Sequence, residues 1–395
     1  MSDPRTSTIA LAMELGFWIL LGVVAWVYAG YPLLLALVSR IRRLRIDRAP
    51  ISPSVSVIIA AYNEQKDIAQ KLERTLSLEY PPEKLEVIVA SDCSTDGTHG
   101  IVAGFADRGV QLQVLAERGG KTAAQNFAAR HARGEILVFT DATTRLRPDA
   151  LSKLMEGFAD PRVGCVGAEL DYVSEAGSVV GRGAGLYWRY EKKVKELEST
   201  ANSLIGVSGC LYAVRSHLYS PIDPDLISDF VIAPDMFARG YVTAYAPGTI
   251  VEEITNEDTA LEFEMRTRVI VQSIHVLVRR FRMLNPLRYG LFAVQLWSHK
   301  VLRYLVAELL GGALVLSLAL ALQGGPRARL YQVLAAVQLG GYALTAALHW
   351  LLPRFAFRGG PLYAPVYFAQ ANAAAVWGLV QYLRGERKIT WTTAR

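Results

Sequence analysis

The sequence predicts an α/β domain built on a parallel sheet and set between membrane helices. Three observations predict it. Four apolar strand-like runs alternate with polar helical stretches between residues 50 and 140, the pattern of βαβ units. Each of three of those runs ends in a cluster of polar and acidic residues. Long apolar runs occupy both ends of the chain. The composition agrees: 395 residues, 52% hydrophobic and 20% charged, with mean hydropathy +0.23. That is more apolar than an ordinary soluble protein and more charged than one made only of membrane helices.

Ile9 to Val38 carries a single charge, Glu14, and is longer than the roughly twenty residues needed to cross a bilayer. Arg40, Arg42, Arg43, Arg45 and Arg48 follow it, against Arg5 before it. The positive-inside rule then puts the N-terminus outside and the next segment in the cytoplasm. Residues 1–49 are thus an N-terminal membrane helix and basic linker.

Residues 50–256 form the α/β domain. Strands are expected at 55–60, 85–91, 111–115 and 135–140, with helices at 65–77, 98–107 and 121–132. Val55–Ala60 is continuously apolar, as a strand buried on both faces should be. Ligands of such sheets sit beyond the carboxyl ends of the strands, so the loops at 61–64, 91–97 and 141–144 should converge. Their polar residues are Tyr62-Asn63-Glu64, Ser91-Asp92 with Ser94 to Thr98, and Asp141-Ala142-Thr143-Thr144. Singly, Asp92 and Asp96 also suit a turn or a helix cap. Together the three strand ends suit a base, a ribose and a diphosphate.

From Arg266 to Arg303 there are eight Lys/Arg and no Asp or Glu, among Val, Leu, Phe and Trp. This suits amphipathic helices on an anionic membrane face, placed at 257–300. The adjoining apolar runs argue against nucleic acid as the partner of the net charge of +6. Runs at 301–323, 330–352 and 361–383, parted by Gly324-Gly325-Pro326 and Arg358 to Pro361, make 301–395 a C-terminal membrane region and tail. The basic tail argues for a cytoplasmic C-terminus, which requires an even number of crossings after residue 285. The run 361–383, with two prolines and Gln370, Asn372 and Gln381, is the weakest span. Cys93, Cys165 and Cys210 are too few and too scattered for a disulfide framework.

These motifs resemble the family 2 glycosyltransferases of GT-A fold, a Rossmann-like nucleotide-diphospho-sugar transferase fold, in the membrane-embedded branch of cellulose, chitin and hyaluronan synthases. The likeness runs from about residue 54 to 270. Val57 to Glu64 matches the opening strand, Ser91-Asp92 with Ser94 to Thr98 the second acidic motif, and Lys121 to Asn126 the K-A-x-x-x-N segment. Asp141-Ala142-Thr143 stands at D-x-D. The resemblance implies that Ala61, Tyr62, Glu64, Asp92 and Ser94 bind the nucleotide. It places Lys121 near the diphosphate and Asp141 near ribose or a Mg²⁺ or Mn²⁺ ion, although Thr143 replaces the second carboxylate.

It further implies acceptor contacts at Gly209, Cys210 and Arg266. Asp229 falls on the catalytic base, eleven residues before Gly240-Tyr241, with Ser228 in place of the usual Glu; the competing reading is a cap of a helix at 230–239. Met265 to Val269 stands at Q-x-x-R-W and keeps only Arg268, expected beside the leaving diphosphate. Loss of that Trp counts against processive synthesis. Trp391 to Arg395 loosely resembles the W-G-T-R gating segment of hyaluronan synthases. The implied activity is inverting transfer from a nucleotide sugar, most readily UDP-linked, to a glycan or lipid acceptor at the cytoplasmic face of the inner membrane. The alternatives are single transfer to a polyprenyl phosphate or ceramide-like lipid, and a non-catalytic membrane scaffold.

Overall fold

The computed structural model describes residues 4–173, 182–254, 259–352 and 363–390. At its centre is an eight-stranded mixed sheet of order β3-β2-β1-β4-β7-β6-β8-β5. β1 (Val55–Ala61), β2 (Leu85–Ser91), β3 (Val110–Val114) and β4 (Ile136–Asp141) are the four expected strands, each within a residue or so of its predicted bounds. They pair in parallel, so β1, β2 and β4 deliver their carboxyl ends to one edge. β5 (Arg145–Leu146), β6 (Val163–Val173), β7 (Leu211–Arg215) and β8 (Val242–Ile254) extend the sheet. β7 runs antiparallel to both β4 and β6, which turns the start of β7 back toward the end of β4.

Every residue of β1 is buried, because each face has its own core. One face packs Val57, Ile59, Val87, Val89 and Val138 on helix Ile68–Leu76. The other packs Ile58, Ile88, Phe139 and Tyr212 on helices Gly120–Ala129 and Ser228–Ala238. Continuous apolar strands follow from this double covering. The expected helix at 98–107 is shorter, Thr98–Ala103; Gly104 ends it and Gly109, at φ 85°, turns the chain into β3.

The N-terminal helical run, from Pro4 to Ile41, contains one wider turn at Trp26–Gly30. Among the described residues two helices are long and apolar enough to cross a membrane, Thr8–Ile41 and Ala328–Leu351. A bent pair, Leu291–Tyr304 and Val306–Leu322, makes a third candidate, with 63° between its halves. Phe17 packs on Ala313, Leu320 and Tyr331 and ties these helices together. Helix Ala364–Leu383 instead lies along helix Thr259–Arg279: Ile270 meets Ala374 and Ala375, and a Cβ on Gly378 would fall 2.8 Å from Ile270. The segment after it runs back over the α/β domain, where Gln272 donates to the Lys388 carbonyl at 2.6 Å. Trp391 and the rest of the W-G-T-R-like segment lie outside the described residues.

Candidate active site

The three strand-end loops do converge. Asn63, after β1, and Cys93, after β2, hold positive φ angles of 53° and 58°, a conformation that costs non-glycine residues energy and persists where neighbours enforce it. The enforcement is mutual. Asn63 N–H donates to Ser94 Oγ at 3.0 Å, and Thr95 N–H donates to Asn63 Oδ1 at 2.8 Å. Glu64 N–H donates to Thr98 Oγ1 at 2.9 Å, and Gln65 N–H to Asp96 Oδ2 at 3.1 Å. Asp96 Oδ1 also accepts from Thr98 N–H at 3.0 Å, so Asp96 serves the turn, while the N-cap of the helix is Gly97. Ala61, Tyr62, Glu64 and Ser94 therefore lie together at the carboxyl ends of β1 and β2.

Asp92 is fully buried, and its carboxylate accepts from the N–H groups of Gly119 at 2.7 Å and Gly120 at 3.0 Å. An anion at a helix N-terminus is stabilised there, so Asp92 braces helix Gly120–Ala129 against β2. Arg118 adds a guanidinium 3.6 Å from Asp92 and stacks 3.6 Å over the Tyr62 ring. No motif marked Arg118. Gly120 sits at φ 86°, and a Cβ there would collide with the Ile389 carbonyl oxygen. The tail thus reaches the helix terminus that carries Lys121.

Lys121 projects from that terminus into the cleft. Its ammonium pairs with Asp141 at the end of β4 and donates to the Gly209 carbonyl at 3.2 Å. Thr122 and Asn126, from the same K-T-A-A-Q-N segment, turn the other way. Thr122 Oγ1 donates to the Leu226 carbonyl at 2.8 Å, and Asn126 Nδ2 to the Ile222 carbonyl at 2.6 Å. They pin the loop that leads into Asp229.

Asp229 does not cap its helix. The N-cap is Ile227, and Asp229 stands in the first turn with its carboxylate turned to the cleft. A Cβ on Gly209 would lie 2.8 Å from Asp229 Oδ2 and 3.1 Å from Lys121 Nζ. Only a glycine leaves that gap between carboxylate and ammonium. Burial raises the Asp229 pKa above the ordinary carboxylate range, while Lys121, Lys300 and Lys195 oppose the rise. Arg268 faces the same pocket: burial lowers its pKa and Asp141 and Asp229 oppose that. Its Nε is buried with no hydrogen-bond partner among the described residues. A buried guanidinium N–H without an acceptor is costly, and an anion in the cleft would satisfy it.

Lys121, Asp141, Gly209, Cys210, Asp229 and Arg268 are therefore brought together. Arg266, expected on the acceptor side, is not. It pairs with Glu262 at 2.6 Å and bonds the Tyr367 hydroxyl, facing helix Ala364–Leu383. On a helix, positions two apart do not share a face, so Arg266 and Arg268 could not both point into one pocket.

Lys71, also unmarked by any motif, is 3% exposed beneath the Asp141 loop. It donates to Thr140 Oγ1 and to the Thr144 carbonyl, each at 2.8 Å. Thr140 Oγ1 in turn donates to the Cys210 carbonyl at 2.7 Å, which locks the D-x-D-like loop to the turn at Gly209-Cys210. Burial pulls the Lys71 pKa down to about 7.

The family model described as glycosyl transferase family 2 matches residues 56–219. The succinoglycan biosynthesis protein ExoO of Rhizobium meliloti is 35% identical over 104 residues, 26% of this chain and 29% of its own length. The poly-β-1,6-N-acetyl-D-glucosamine synthase of Staphylococcus aureus is 25% identical over 266 residues, 64% of each chain. The chain thus spans under two thirds of these curated relatives. A solved structure of the mannosyltransferase PcManGT from Pyrobaculum calidifontis, in complex with GDP-Man and Mn²⁺, superposes with a TM-score of 0.71. It is 25% identical, over 94% of this chain and 99% of that one. The α/β domain of this chain has the GT-A fold, and residues 56–219 of it match the glycosyl transferase family 2 model.

Proposed function

We propose that the chain is an inverting glycosyltransferase that moves a sugar from a nucleotide-sugar donor to a glycan or lipid acceptor at a membrane face. The observation that carries this is the convergence of Asp229, Lys121 and the orphaned Arg268 Nε on the gap at Gly209. Asp229 takes the proton of an acceptor hydroxyl. The acceptor oxygen bonds the anomeric carbon from the face opposite the donor phosphate. The bond from that carbon to the phosphate oxygen breaks, and its electron pair leaves with the nucleoside diphosphate. Lys121 and Arg268 hold the leaving diphosphate, where negative charge develops. Thr143 does not enter this scheme.

Asp141 is 28% exposed to the cleft, and among the described residues no cluster of three His, Cys, Asp or Glu could cage a metal. One accessible carboxylate fits a Mg²⁺ or Mn²⁺ ion held mainly by the donor's phosphates and water. Such an ion supplies further neutralisation of the diphosphate. PcManGT was solved with GDP-Man and Mn²⁺, so GDP-linked donors stand beside the UDP-linked donors suggested by sequence. The test is a screen of UDP- and GDP-linked sugars with the full chain in detergent, scoring nucleotide release. No release with any donor would leave the scaffold reading standing.

The five arginines after the first span support a cytoplasmic α/β domain. The tail supports an even number of later crossings. Helices Val306–Leu322 and Ala328–Leu351 then cross, while Ala364–Leu383 lies at the surface along Thr259–Arg279. This puts residues 384–390 on the side of the α/β domain, where Gln272 and Ile389 already meet it. A C-terminal reporter active only outside the cytoplasm should be silent; its activity would overturn the topology.

A further inference from the structure

Asp229 stands in the first turn of a helix that has no side-chain cap. The N-cap of helix Ser228–Ala238 is Ile227, which accepts no hydrogen bond through its side chain. The first turn of such a helix leaves its N–H groups unsatisfied and frays readily. Its position is therefore set by what precedes it. Residues 219–227 form neither helix nor strand, and connections of this kind are the more mobile parts of a fold.

This connection is fastened from inside. Ile222 and Leu226 are buried, and buried backbone groups need partners. Asn126 serves both groups of Ile222: its Nδ2 donates to the Ile222 carbonyl at 2.6 Å, and its Oδ1 accepts from the Ile222 N–H at 3.0 Å. The Tyr219 hydroxyl donates to the same Oδ1 at 2.8 Å, which fixes the orientation of the amide. Thr122 Oγ1 donates to the carbonyl of Leu226, the residue before the N-cap, at 2.8 Å. Arg239, Arg279 and Arg387 also reach the connection, but at Ser220, Asp223 and Asp225 toward solvent, where ion pairs contribute little.

Thr122 and Asn126 are buried and four residues apart, so they share one face of helix Gly120–Ala129. Lys121, one residue earlier, faces the cleft. One helix thus presents the ammonium and also grips the entry to the Asp229 turn. On the other side of that turn, the Asp229 carbonyl accepts from Val207 N–H at 2.9 Å, two residues before Gly209.

We propose that Thr122 and Asn126 are positioning residues for Asp229, which register the base to the helix that presents Lys121. They touch no substrate and act through residues 219–227. The proposal rests on the reading of Asp229 as the base.

The test uses the full chain in dodecyl maltoside and the nucleotide sugar that the donor screen selects, with water as acceptor and nucleotide release as the readout. Thr122→Val keeps the shape of the side chain and leaves the Leu226 carbonyl without its partner. Tyr219→Phe frees the Asn126 amide to turn. Each should lower kcat about tenfold at unchanged donor KM, since a misplacement of about 1 Å costs about a hundredfold. Thr122→Ser, which keeps the hydroxyl, should retain kcat. The Val and Phe substitutions are then repeated in Asp229→Asn. A residue that acts only through the base has nothing left to position there, so the residual rate should change by no more than about twofold. Equal fold-losses in both backgrounds, a rise in donor KM in place of the loss in kcat, or wild-type kcat in both single variants overturns the positioning role and leaves the base in place. Asp229→Asn at the wild-type rate refutes the base and this proposal with it, a failure seen before any second substitution is made.

Discussion

Replacing Gly209 with alanine tests the geometry of the site with one methyl group. Gly209 has no left-handed φ angle among the residues that do, so alanine fits its backbone. The new Cβ would stand 2.8 Å from Asp229 Oδ2 and 3.1 Å from Lys121 Nζ. Nonbonded carbon contacts settle near about 3.5 Å, so the carboxylate must retreat by about 0.7 Å. A misplacement of about 1 Å at a reacting group costs about a hundredfold in rate. The expected loss in kcat is therefore about tenfold to a hundredfold. Donor binding, whose nucleotide contacts lie at the ends of β1 and β2, should hardly change, and neither should the melting temperature. Nucleotide release under saturating donor and acceptor, with donor affinity and Tm measured in parallel, checks all three. Wild-type kcat in Gly209→Ala would refute the placement of base and ammonium on either side of this glycine.

Asp229→Asn keeps the shape and removes the base, so transfer should fall by about two to four orders of magnitude while donor affinity persists. Because burial raises the Asp229 pKa, keeping this carboxylate charged costs the native fold stability; the Asn variant should melt no lower than the wild type at pH 7. Lys71→Met removes the brace under Thr140 and Thr144, and kcat should drop about tenfold. Lys71 is depressed to about 7 from an unfolded value near 10.5, so the unfolded chain binds the extra proton between those values. Wild-type stability should therefore gain from pH 7 to 9 relative to Lys71→Met, and parallel melting profiles would refute this. With Asp141 as the sole protein carboxylate on a cation, EDTA should abolish transfer readily; full activity in EDTA would assign the diphosphate to Lys121 and Arg268 alone.

β1, β2 and β4 were legible because a strand buried on both faces reads as an unbroken apolar run, and Val57–Ala61 and Val87–Ala90 are such runs; β3 alternates apolar residues with glutamine and is only partly buried. The strand-end residues were legible through their motifs. β6 and β8 escaped, since their residues mix Gly, Tyr and Glu with no single period, and β7 is only five residues long. Lys71 left a signal of another kind. Ile68, Lys71, Leu72 and Thr75 share the buried stripe of their helix, and the helical spacing of that lysine with its apolar neighbours is enough to mark a core-facing charge. Arg118 had no signal, because stacking on Tyr62 depends on a loop conformation that only the tertiary contacts of Asp92 fix. Arg266 was misplaced for a simpler reason: motif alignment assigned it beside Arg268 and ignored that two residues along a helix is nearly the opposite face.

The opposing influences on Asp229 carry one last consequence. In the free chain, burial raises its pKa and three lysines hold the rise in check. A bound diphosphate adds negative charge beside Lys121 and Arg268 and cancels part of that check. Like charge nearby raises a carboxylate pKa further, so donor binding makes Asp229 a stronger base in the complex that uses it. Activity requires the deprotonated carboxylate and is lost as pH falls through its pKa. The acid limb of kcat/KM reports the free chain and that of kcat the complex. The limb of kcat should therefore lie at higher pH than the limb of kcat/KM, and Lys121→Gln, which removes the lysine that couples most strongly to Asp229, should narrow the gap between them. Coincident limbs in the wild type would mean that the diphosphate sits too far from Asp229 to influence it, and the shared pocket at Gly209 would have to be abandoned.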